Sequence, residues 1–103
     1  MENDDTLTTE KTVTLDTPLK RGDTTLTHIT VRKPSAGALR GTRLQPLMEM
    51  DVNALTVILP RVTTPALTTA EVMELDPADL ISLSVEVVSF LLPKSVRSDS
   101  LTD

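Results

Sequence analysis

Apolar residues follow two different rhythms along this chain. Over "KTVTLDTPLKRGDTTLTHITVRKP" residues alternate between two sides: Val13 and Leu15 with Thr12 and Thr14, then Leu26, His28 and Thr30 with Thr27, Ile29 and Val31. Branched Thr, Val and Ile side chains suit a pleated surface, so the segment predicts a β-hairpin. "KRGD" supplies its turn, with Gly22 free to take positive φ. The loop reads as longer than two residues, which leaves the register open. Pro34 ends the second strand.

The rhythm then changes. "SAGALRG" has Ser35 as a cap and helix-favouring Ala36, Ala38 and Leu39. Gly37 and Gly41 are four apart, on one helical face, which predicts either close backbone packing there or simply a loose turn. In "MDVNALTVILPRV", Asp51 caps a helix whose apolar face is Leu55, Ile58, Leu59 and Val62. Pro60 bends or stops it. "TTAEVMEL" predicts a short helix with Thr68 and Glu71 at capping-box spacing.

The most apolar stretch is "DPADLISLSVEVVSFLL", residues 76–92. Its centre alternates as a strand would, but its start decides for helix. Asp76 caps, Pro77 takes the first helical position, and Asp79 meets the positive end of the helix dipole. Asp79, Ser82, Glu86 and Ser89 then form one polar seam, and aliphatic residues cover most of the rest. That apolar surface is wider than a half-solvated helix needs. It predicts either a central core helix or a helix with a face left for docking. The whole is α+β: an N-terminal β-hairpin followed by three or four short helices, occupying residues 11–92, with tails at 1–10 and 93–103.

Composition narrows the function. At 103 residues the chain is one small domain. Phe90 is its single aromatic residue, so the core is built from aliphatic side chains and stability from burial is modest. The absence of Cys removes disulfides, thiolate metal sites and Cys nucleophiles, and fits a reducing compartment. The polar, acidic start "MENDDTLTTE" has no signal-peptide pattern, and no apolar run spans a bilayer, which predicts a soluble cytoplasmic protein. One histidine, His28, rules out a His-pair metal site and sits mid-strand as a surface residue. No phosphate-binding glycine motif and no nucleophile with its base is present, so neither catalysis nor a cofactor is expected. Net charge is −5, yet Arg32, Lys33, Arg40 and Arg43 lie in one segment and offer a basic docking patch for an acidic protein. Without interleaved aromatics they argue against nucleic-acid binding.

The order of the pieces carries a resemblance. Leu15, Pro18 and Gly22 in the hairpin, Arg32, Pro34, Gly37, Arg40 and Gly41 in "VRKPSAGALRG", Leu59, Pro60 and Arg61, and Leu75, Asp76, Asp79, Leu80 and Phe90 resemble the small tail assembly chaperones of Mu-like and P2-like contractile-tailed bacteriophages. The likeness covers about residues 13–91 and does not extend to the acidic start. It implies a non-enzymatic assembly factor. Such a factor binds the tape-measure protein, keeps it soluble, promotes polymerisation of tail-tube subunits around it, and is absent from the finished virion. It also raises a longer frameshifted product. A structural tail component, such as a tube or baseplate adaptor, and a small nucleic-acid-binding regulator are the alternatives.

A tape-measure protein is a long helix with apolar stripes, and its chaperone needs an aliphatic groove that accepts helices. The candidate contacts are Leu55, Ile58 and Leu59 on one helix and Leu83, Val87, Phe90 and Leu91 on the last. An exposed surface of this kind also favours a homo-oligomer.

Overall fold

The alternating segment folds as a long hairpin: β1 is Glu10–Arg21 and β2 is Thr24–Arg32, antiparallel. The computed structural model describes residues 9–93, and the expected tails fall almost entirely outside them. Arg21 pairs with Thr24, so the turn has two central residues, Gly22 and Asp23, and is tighter than expected. Gly22 has φ +60° while Asp23 stays at negative φ, the pattern of a type II′ turn. That turn matches the natural twist of the strands, so a short loop suffices.

The strands are not continuous. Thr14 pairs with His28 and Leu19 with Leu26, so four residues, Leu15–Pro18, face Thr27 alone. This wide bulge carries Leu15 and Leu19 into the core and breaks the alternation of β2, where Thr27 and His28 are both exposed. It also strips two backbone N–H groups of ladder partners. Both find the same acceptor. Asp79 Oδ1 accepts from the N–H of Asp16 at 2.6 Å, and Oδ2 accepts from the N–H of Thr17 at 3.0 Å.

Four helices follow. α1 is Leu44–Met48, α2 is Val52–Val62, α3 is Thr69–Glu74 and α4 is Pro77–Leu91. Asp51 caps α2 by accepting from the N–H of Ala54 at 3.0 Å. Thr68 and Glu71 close a reciprocal capping box at 3.0 and 3.1 Å. Asp76 accepts from the N–H of Ala78 at 2.9 Å, with Pro77 beginning the helix. α2 runs two residues past Pro60, and the chain then extends as β3, Thr63–Thr64, which pairs with β2 to give the sheet order β1-β2-β3. Buried Thr63 secures that exit: its hydroxyl donates to Leu59 O at 2.7 Å and accepts from the N–H of Leu67 at 3.0 Å.

"SAGALRG" is not an α-helix. Gly37–Leu39 forms one 3-10 turn, and Gly41 leaves it with φ +80°. A Cβ on Gly37 would meet only Ser35 Oγ, at an ordinary 3.7 Å, so no backbone packs closely against this face. The glycine spacing reflects a loose turn with a left-handed exit.

One core lies between the sheet and the helices. Leu26, Ile29 and Val31 of β2 meet Leu55, Ile58, Leu59 and Val62 of α2 and Leu83, Val87 and Phe90 of α4, with Leu47, Leu67, Val72 and Leu75 filling the margins. Each fully buried aliphatic side chain contributes about 1.5–3 kcal/mol. A second tie binds the hairpin's turn end to α3. Arg21 grips Glu71 with Nε and Nη2 at 3.0 and 2.6 Å and also donates to Ala66 O at 2.8 Å. Hydrogen bonding from Arg21, then from the N–H of Thr68, holds the Glu71 carboxyl down at about 2. Its contribution is therefore present above the ordinary 4.5 and fades as pH falls toward 2. The pair lies near the surface, and screening keeps that contribution small.

The Asp79 contacts differ in kind, because the carboxylate is 1% exposed. Asp79→Ala removes the acceptor of two part-buried backbone donors at once, and a hydrogen bond to a charged group is worth about 1.5–3 kcal/mol. We expect the variant to lose about 3 kcal/mol or more by urea denaturation, while Ser82→Ala, on the exposed side of α4, changes stability by less than about 0.5 kcal/mol.

Candidate partner-binding surface

α4 is fixed at its first turn. Asp76 and Pro77 set its start, Asp79 holds the β1 bulge, and the Thr17 hydroxyl donates to Asp76 Oδ2 at 3.2 Å. With that end fixed, the helix rotation about its axis is set, and three faces separate. Leu83, Val87 and Phe90 enter the core. Ser82, Glu86 and Ser89 make a polar edge, which Asp79 does not join because it is buried.

The third face is apolar and open. Ile81 is 57% and Val85 46% exposed, and Val88 and Leu92 are half-buried. Ile81, Val85 and Val88 stand at i, i+4 and i+7, the spacing by which one helix presents a seam to another, and Leu92 follows as the extended C-cap residue. α1, which packs against both α2 and α4, carries exposed Leu44 and Met48, one turn apart. Further exposed apolar side chains, Val52 and Val57 on α2 and Met73 on α3, lie on other elements.

The expected contact residues are therefore placed differently. Leu55, Ile58, Leu59, Leu83, Val87 and Phe90 are all core side chains, at most 5% exposed, and Leu91 is half-buried against them. A partner helix cannot reach the six without opening the fold. Periodicity found both apolar faces of α4 but not which one the sheet takes. The 4-3 spacing of Ile81, Val85 and Val88 is present in the sequence but does not stand out among so many neighbouring aliphatics.

The basic residues come together only in part. Arg32, Lys33, Arg40 and Arg43 are all exposed. Arg32 and Arg40 converge on a residue that sequence reasoning did not assign to the patch, Arg61, at the end of α2: Arg32 Nη2 donates to Arg61 O at 2.9 Å, and Arg61 Nη1 donates to Ala38 O at 2.9 Å and Arg40 O at 2.5 Å. His28 is exposed beside the Thr27 hydroxyl, 2.9 Å from Nδ1. Among the described residues no group of three potential metal ligands occurs, and no helix is long and apolar enough to cross a membrane.

The structure is a hairpin-and-helix domain with an open aliphatic seam, and comparison with known proteins gives its class. Residues 12–92 match the model of the family described as phage tail assembly chaperone proteins, E, or 41 or 14, and the chain belongs to that family. Tail assembly protein E of Escherichia phage P2 is 47% identical over 88 residues, spanning 85% of this chain and 97% of that protein. Tail assembly protein E′ of the same phage is 42% identical over 100 residues, spanning 89% of this chain and 70% of its own length. No solved structure matches the chain. The family match confirms the expected resemblance and a role in phage tail assembly, which is not an enzymatic one.

The two faces of α4 make a direct contrast. Val87→Asp buries a carboxylate in the core and is expected to unfold the protein at room temperature, whereas Val85→Asp, two residues earlier, is expected to keep the native circular dichroism spectrum and a melting temperature within about 5 °C of the parent.

Proposed function

We propose that this protein is a non-catalytic chaperone that binds the tape-measure protein in the host cytoplasm, keeps it soluble, and promotes tail-tube polymerisation around it. The observation that carries this reading is the open seam of Ile81, Val85, Val88 and Leu92 on a helix whose opposite face is locked into the core. A long helical client with apolar stripes aggregates through those stripes. A partner seam with matching spacing covers them in the helix-in-groove mode. Aliphatic contacts without charge pairing give low selectivity for register, which suits repeated binding along a repetitive client. Such binding is reversible because the seam is narrow, so tube subunits displace the chaperone as they polymerise and it leaves the finished particle. Family membership supports the assembly role, and the seam supports the kind of client.

Co-expression tests this. The parent protein is expected to hold a tape-measure fragment in the soluble fraction and to co-purify with it. Ile81→Asp/Val85→Asp, folded by circular dichroism, is expected to leave most of the fragment in the pellet. Retained co-solubility with the folded double variant would refute the reading.

A further inference from the structure

We infer that the arginine cluster around Arg61 is a second docking site, one that takes a carboxylate-rich segment of a protein partner. Three elements bring it together. Arg32 ends β2, Arg61 lies in the last turn of α2, and Arg40 follows the 3-10 turn. The carbonyl contacts described above orient two guanidinium groups without neutralising them, because carbonyls accept hydrogen bonds but carry no net charge. Arg61 spends only Nη1 in this way, among the described residues. Its Nη2 lies toward a shallow open depression lined by Gly37, Arg40, Gly41 and Arg61. Gly41 adjoins it at φ +80°, and the position of a Cβ there lies 3.9 Å from Nη2.

Among the described residues no carboxylate forms an ion pair with this cluster. Glu10 stands opposite Arg32 in the ladder but forms no ion pair with it, and the single ion pair among the described residues, Arg21–Glu71, is at the other end of the hairpin. Lys33 and Arg43 add to the same sign nearby in sequence. On a chain of net charge −5, so local a positive group is not a by-product of a basic composition. Guanidinium forks match carboxylates in bidentate geometry. A nucleic acid fits less well, because the single aromatic ring, Phe90, is buried and cannot stack on a base.

The test uses the full chain and a fluorescent ten-residue Asp/Glu peptide, read by anisotropy at low and physiological salt. Arg40 and Arg43 hold no carbonyl with their side chains, so Arg40→Gln/Arg43→Gln keeps the fold. The parent is expected to bind the peptide with an affinity that falls as salt rises. The double variant is expected to bind about fivefold more weakly, while Lys20→Gln, at the turn end of the hairpin, stays within about twofold. No binding at low salt, equal weakening by Lys20→Gln, or tighter binding of a DNA duplex of the same total charge would each overturn the inference.

Discussion

One buried carboxylate determines how this small protein is arranged. The β1 bulge frees the N–H groups of Asp16 and Thr17 from the ladder, where they are partly shielded from water and need an acceptor. Asp79 satisfies both from the first turn of α4, where the helix dipole also favours its charge. The bond thus joins residues far apart in sequence and sets the position and rotation of α4 against the sheet. The bulge and the helix depend on each other. Without the bulge Asp79 would be a buried charge with little to accept from, and without Asp79 the bulge would be a defect in a strand.

The consequence is a helix with two apolar faces in different environments. Leu83, Val87 and Phe90 complete a core that has no other aromatic residue, so the sheet must claim that face. Ile81 and Val85 then point away from it. The excess of aliphatic residues in "LISLSVEVVSFLL" is divided by geometry between folding and presentation. Family membership supplies an assembly role, and the cluster around Arg61 gathers at the ends of β2 and α2.

Features governed by neighbours in sequence were legible. The caps at Asp51, Thr68 and Asp76, the capping box to Glu71, and positive φ at Gly22 each depend on a few adjacent residues. The hairpin-then-helices order followed from the change of apolar period. Features set by distant contacts were not. "LDTP" reads as strand, and nothing local announces that it bulges toward an Asp more than sixty residues away. Asp79 looked like an exposed dipole partner for the same reason. Core and surface could not be separated on α2 and α4 because both faces of α4 are aliphatic. Six of the seven expected contacts accordingly fall on the faces of α2 and α4 that the core keeps. The glycines of "SAGALRG" were legible as a turn only as one of two readings, since spacing alone does not tell a helical face from a left-handed exit.

The central claim is that α4 serves the fold with one face and a client helix with the other. Methyl-resolved NMR of the chaperone bound to a tape-measure fragment tests it most directly. The account predicts that methyl resonances of Ile81, Val85, Val88 and Leu92 shift and broaden on binding while those of Leu83, Val87 and Ile58 keep their positions. Equal perturbation of the core methyls, or an unmoved Ile81 and Val85 in a formed complex, would contradict it.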